Sequence, residues 1–133
     1  MESLTQSTVT PEILDQLRLA IERQDGDRAR SLARLLLDED AAELFEDLDQ
    51  SEIRALAELL GDETLADLLT QIDERDAADI LEQLPIEHAA DVLEEIDPDD
   101  AADIIFQVDR EFSEDILVAM EPADAAEIRE LMA

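Results

Sequence analysis

From Leu37 onward, apolar residues recur on a period of twelve. Eight consecutive dodecamers begin at residues 37, 49, 61, 73, 85, 97, 109 and 121, and their fifth, eighth, ninth and twelfth positions are predominantly apolar. Ala77, Ile80, Leu81 and Leu84 fill these places in one unit, and Ala101, Ile104, Ile105 and Val108 in another. The offsets i, i+3, i+4 and i+7 mark one face of an α-helix. A looser unit over 25–36 carries Ala29, Leu32, Ala33 and Leu36 in the same places.

One continuous helix cannot satisfy this pattern. Twelve residues at about 100° each turn through about 1,200°, so the stripe would drift by about 120° per unit. The helix must therefore end and restart in every unit. The first positions of the last seven units supply the means: Asp49, Gly61, Asp73, Pro85, Asp97, Asp109 and Glu121 are mostly N-cap acceptors or helix breakers. Asp97-Pro98-Asp99-Asp100 is the clearest start, with a capping Asp, Pro at the first helical position and two acids against the positive end of the helix dipole.

Helices of about eight to ten residues are unstable alone, so their stripes must pack on neighbouring units. The expected fold is all-α, a superhelix or compact solenoid of short helices in which each unit leans on the next. Ahead of the repeats, Thr10-Pro11 caps a predicted helix over 11–24. Its stripe of Leu14, Leu17 and Ile21 closes the first end of the stack. Residues 1–10 read as a loose N-terminus, and 11–133 as one domain.

Composition agrees with helices: 133 residues, 46% of them apolar, with two Gly, four Pro, three Phe and no Trp or Tyr. The absence of Cys removes disulfides, thiolate nucleophiles and cysteine metal sites, and suits a reducing compartment. No apolar run approaches the roughly 18 residues needed to cross a bilayer, and MESLTQSTVT lacks the basic and apolar regions of a signal peptide.

Charge changes the picture most. The net charge is −30, unevenly spread: residues 1–36 hold six acids against five Arg, and residues 37–133 hold 33 acids against four Arg. Such a surface repels nucleic-acid phosphates and anionic membranes, leaving cations, basic proteins or plain solvation. All nine basic residues are Arg. An acid-rich, lysine-free surface also suits concentrated salt, so a halophilic scaffold is one bland account of the charge.

The seventh position is acidic in seven of the eight units: Glu43, Asp67, Asp79, Asp91, Asp103, Asp115 and Glu127, with Ala55 the exception. It lies on the flank of the helix, and a third-position acid is its i−4 neighbour, as Asp99 is to Asp103. Two such carboxylates repel by a few tenths of a kcal/mol unless a cation or solvent screens them. For most of these acids, solvation is the sufficient explanation. A few on one surface could bind hard divalent cations, which take oxygen ligands; Mg2+ keeps several waters and uses one or two carboxylates. There is no EF-hand pattern. His88, the single histidine, falls at a polar first-turn position and reads as a surface residue. Phe45, Phe106, Phe112, Met120 and Met132 read as core or unit-to-unit packing. No nucleophile with a base, Gly-rich loop or convergent polar pocket can be argued, so the chain does not read as an enzyme.

The unit D/E-x-x-D-A-A-[DE]-[IL]-[LIF]-x-x-[LIV], plainest at 73–84, 85–96 and 97–108, resembles the cytosolic N-terminal domain of the MgtE family of magnesium transporters and channels. "DPDDAADII", "LEQLP" and the leading "QDGDRARSLARLLL" carry the resemblance, which runs from about residue 11 to the end. It implies a right-handed superhelical domain on the cytoplasmic side of the membrane, placed before CBS domains and a homodimeric pore. It further implies that Mg2+, bound between the acidic N domain and the CBS domains, holds the pore closed. Transferred by position, the implied metal contacts are Asp67, Asp99 and Asp103, with Asp91 and Asp100 as lesser candidates. Neither a CBS sequence nor a membrane span is present in these residues, so the resemblance implies a sensor domain detached from them, monomeric when isolated. The competing expectation is a free-standing acidic interaction module, like the short-helix repeats of the flagellar-motor protein FliG, with no metal role.

Overall fold

The computed structural model describes residues 11–35 and 41–133. Among the described residues there are nine helices and no strand: α1 (Pro11–Arg23), α2 (Gly26–Arg34), α3 (Ala41–Asp47), α4 (Gln50–Leu69), α5 (Glu74–Leu81), α6 (Ile86–Glu94), α7 (Pro98–Gln107), α8 (Arg110–Ala119) and α9 (Pro122–Met132). The expectations for residues 1–10, for capping by Thr10 and for Leu36 lie outside the described residues.

The dodecamer boundaries are the helix boundaries. Asp25, Asp49, Asp73, Pro85, Asp97, Asp109 and Glu121, each the first residue of its unit, are the N-cap residues of α2, α4, α5, α6, α7, α8 and α9. Asp25 accepts from the Arg28 N–H at 3.1 Å and Asp73 from the Arg75 N–H at 3.2 Å. Asp49 forms a full capping box, accepting from Glu52 N–H at 2.8 Å while its own N–H donates to the Glu52 carboxylate at 3.0 Å. Asp97, Asp109 and Glu121 depart from expectation: each occupies the N-cap but makes no side-chain cap bond. After Asp97, Pro98 at the first helical position supplies the start instead, because its fixed φ is already helical and it has no N–H to satisfy.

α4 spans two units, and the break between them is Gly61, at φ 82° and ψ 166°. That backbone conformation is open to glycine and strained for any residue with a Cβ. The helix therefore ends at Leu60 and restarts at Asp62 with a single residue between, giving halves over 50–60 and 62–69.

The stripe positions form the core. Leu44, Leu56, Leu68, Ile80, Val92, Ile104, Ile116 and Ile128, the eighth positions, are all buried. So are Ala77, Ala89 and Ala101 at the fifth position and Leu81, Leu93 and Ile105 at the ninth. The sixth position also turns inward in the four middle units, where Ala66, Ala78, Ala90 and Ala102 are buried, whereas Ala126 in the last unit is exposed. That second inward face lets each helix touch more than one neighbour.

The expectation that each unit leans chiefly on the next is corrected by the packing. α5 packs on α7, α6 on α8, α7 on α9 and α4 on α6. A connection of only a few residues cannot bring consecutive helices back side by side in the same direction, so each stripe finds its cover two units along. Matching ends lie together: Asp62 at the start of the second half of α4 pairs with His88 in the first turn of α6, and Glu82 at the end of α5 meets Asp109 just beyond α7. The chain thus stacks in two rows. One holds α2, the first half of α4, α5, α7 and α9; the other holds the second half of α4, α6 and α8.

Two aromatic or sulfur positions depart from expectation as well. Phe45 and Met120 are buried and Phe112 is half-buried against the core, but Phe106 is 72% exposed and Met132 36%. Phe106 is a tenth-position residue, outside the stripe.

Candidate functional site

The seventh position follows directly from helix geometry. It is flanked in sequence by buried positions, yet it sits about 100° round the helix from each of them, on the side away from the core. Asp67, Asp79, Asp91, Asp103, Asp115 and Glu127 are all exposed, and Glu43 is half-buried. Asp99 and Asp100, in the first turn of α7, are exposed too.

The two-row stack decides which of these can cooperate. Asp67 lies on the second half of α4 and Asp91 on α6, in one row. Asp99, Asp100 and Asp103 lie together on α7, in the other row. Asp103 is one helical turn from both Asp99 (i−4) and Asp100 (i−3), so α7 groups three of the five on one helix. Among the described residues no group of three or more His, Asp or Glu side chains is disposed to hold a metal ion. The candidate carboxylates are exposed, Asp67 and Asp91 each on its own helix and Asp99, Asp100 and Asp103 together on α7.

Little on the surface neutralises them. The arginine–carboxylate pairs among the described residues are Arg18 with Glu52 at 2.8 Å, Arg30 with Asp27, and Arg129 with Glu114 at 3.3 Å. Three of the nine arginines serve another purpose, which the sequence reading missed. Arg18, Arg30 and Arg54 each donate to a backbone carbonyl 29 residues ahead: Asp47 at 3.0 Å, Leu59 at 3.0 Å and Gln83 at 3.1 Å. All three occupy the sixth position when the register is carried back to residue 13. They supply donors to carbonyls at the ends of helices, which lack partners within the helix. The recurrence of Arg at spacings of 12 and 24 was the available signal. Arg18 is held protonated even more firmly than a free arginine, first by its hydrogen bond to Glu52 and then by that carboxylate's charge.

In the second half of the stack carboxylates play the complementary part. Glu82 accepts from the N–H of Asp109 at 2.8 Å, and Glu94 from the N–H of Glu121 at 2.7 Å, both 27 residues ahead. These tenth-position acids satisfy backbone donors at helix starts and belong to the scaffold. His88 is not a free surface residue: its side chain is 19% exposed and Nε2 lies 3.2 Å from Asp62 Oδ1, tying α6 to α4.

Fold and surface together define a class: an all-α domain of stacked dodecamers whose outward flank is carboxylate. The sequence profile described as the MgtE intracellular N domain matches residues 36–133, and the chain belongs to that family. Two solved structures share the fold. One, the soluble part of a magnesium transporter, superposes with a TM-score of 0.79 at 26% identity, over 91% of this chain and 48% of that one. The other, the cytosolic domain of the Mg2+ channel MgtE in complex with ATP, gives 0.73 at 23% identity, over 90% of this chain and 49% of that one, a likeness of fold alone. This chain therefore spans about half the length of each. Comparison with curated proteins gives no significant match. No helix among the described residues is long and apolar enough to cross a membrane.

Proposed function

We propose that residues 11–133 act as the Mg2+-sensing regulatory domain on the cytoplasmic side of a magnesium transporter or channel. In this reading Mg2+ bridges Asp67, Asp99 and Asp103, with Asp91 and Asp100 contributing less, to CBS domains of the same full-length, homodimeric protein, and so favours its closed state. The observation that carries the reading is the outward presentation of these acids, with Asp99, Asp100 and Asp103 grouped on α7. Mg2+ retains most of its waters and is held by one or two carboxylates, so a surface of this kind suits an ion shared with a facing protein.

Electrostatics supports a gating role. A chain of net charge −30 approaches another acidic surface only when cations occupy the gap. An ion that binds the closed arrangement better than the open one shifts the population toward it, and its removal lets the two surfaces separate. Transport itself is assigned to the rest of such a protein.

The test uses the full-length transporter containing this domain. Protease protection of residues 11–133 is followed as Mg2+ is raised at constant ionic strength, in the parent protein and in Asp67→Asn/Asp99→Asn/Asp103→Asn. The reading requires protection that develops with Mg2+ in the parent and needs markedly more Mg2+ in the variant. Identical titrations in the two proteins would remove these aspartates from the site.

A further inference from the structure

A crevice where α3, α4 and α5 meet is separate from the carboxylates invoked above. It has a volume of about 160 Å3 and is lined by Phe45, Ile53, Ile72 and Ile80, with Glu46, Asp76, Asp79 and Gln83 completing the wall. The apolar members are buried or half-buried, whereas Glu46, Asp76 and Asp79 are exposed. The cleft thus has an apolar floor and an anionic rim.

Gln83 adds a more specific demand. Its backbone carbonyl accepts from Arg54 Nε at 3.1 Å, and its Nε2 donates to the Asp79 carbonyl at 3.3 Å. Its Oε1 is buried and has no partner, the one such side-chain atom found among the described residues. A buried acceptor left unsatisfied is unfavourable, and a donor arriving from a ligand relieves it.

We propose that this crevice binds a small organic cation with an apolar stem and a hydrogen-donating head: an alkylguanidinium or alkylammonium group. The stem covers Phe45, Ile53, Ile72 and Ile80, the head is balanced by Glu46, Asp76 and Asp79, and one N–H reaches Gln83 Oε1 once the Gln83 side chain turns toward the crevice. Size agrees, since a protein cavity of about 150 Å3 accommodates benzene. A bare metal ion fits less well, because it leaves the apolar floor uncovered.

The chemistry is shared by a free amine and by the arginine or lysine side chain of another protein, and two probes separate these sources. The 133-residue chain, labelled for amide and isoleucine-methyl NMR, is titrated with n-butylguanidinium chloride and, separately, with the capped peptide Ac-Gly-Arg-Gly-NH2. NaCl at matched ionic strength is the control. Saturable shifts at Phe45, Ile53, Ile72, Ile80 and Gln83 are expected with n-butylguanidinium and not with NaCl. Tighter binding of the peptide would identify a partner's side chain as the source, and tighter binding of the free cation a small molecule. Asp76→Asn/Asp79→Asn, at exposed positions, should weaken binding by about tenfold with the amide spectrum otherwise preserved, as expected for loss of a charge-assisted contact. Shifts spread over all the acidic helices, or reproduced by NaCl, would overturn the proposal by showing an ion atmosphere instead of a site.

Discussion

Arg30 reaches from α2 to the carbonyl oxygen of Leu59 in α4, with Nη1 at 3.0 Å, and Gly26 lies directly beneath that bond. A Cβ placed on Gly26 would stand 3.1 Å from Arg30 Nη1 and 3.2 Å from Leu59 O. Both neighbours are constrained by the bond they share. Arg30→Ala should therefore cost about 1 kcal/mol, the typical worth of one such hydrogen bond. Gly26→Ala should also destabilise, and by less when Arg30 is already Ala, because one of the crowded atoms is then gone. Urea unfolding of the two single variants and the double variant measures this coupling.

Leu81 and Leu93 test the core. Leu81 is fully buried and Leu93 is 1% exposed, in α5 and α6 at the ninth position of their dodecamers. Truncation to Ala at either site should cost about 2–5 kcal/mol, combining lost burial with an unfilled cavity. Chemical denaturation monitored by circular dichroism gives the value. A loss below about 1 kcal/mol at both sites would contradict their place in the core.

Gly61 tests the break within α4. Its φ is 82°, and nothing lies within 4 Å of a Cβ added there, so a substitution meets conformational strain without a clash. Gly61→Ala should destabilise by about 1–2 kcal/mol, the cost of placing an L side chain at positive φ. An increase in stability and helix content would mean that the two halves of α4 can merge.

The charge predicts a response to salt. With 39 acids against nine arginines, self-repulsion opposes the compact state. The urea midpoint should rise with NaCl as repulsion is screened, most steeply below about 0.1 M, where the Debye length exceeds about 10 Å. Asp67→Asn/Asp99→Asn/Asp103→Asn removes three exposed charges, so it should keep its helix content and gain stability at low salt. Loss of helix content would show these residues to be structural.

Much of this architecture is legible in the sequence. Helix starts could be read because an Asp, a Pro or a Gly heads most units and acts locally, through backbone preference or, at Asp25, Asp49 and Asp73, through its side-chain oxygen. The buried stripe could be read because positions i, i+3, i+4 and i+7 share a face on any helix. Phe106 was misread for lack of a long-range fact. It occupies the tenth position, as Glu82 and Glu94 do, and those side chains point toward the starts of helices 27 residues ahead. The tenth position lies outside the stripe, and Phe106, with no such backbone partner among the described contacts, is 72% exposed.

The candidate site divides in the same way. Exposure of Asp67, Asp91, Asp99 and Asp103 follows from their angular position on a helix, whereas Asp100 shares the fourth position with buried Thr64 and half-buried His88, and only the fold leaves it exposed. The row to which each belongs depends on helices packing two units along, a matter of how short connections turn in three dimensions. The arginine bonds to Asp47, Leu59 and Gln83, the His88–Asp62 pair and the crevice at Gln83 likewise join residues distant in the chain. The sequence by itself determined where helices begin, which face is apolar and how much charge the surface carries, because these are properties of neighbours within one turn. Only the tertiary structure decided which helices meet and which polar groups find partners, because helices this short take their arrangement from packing against one another.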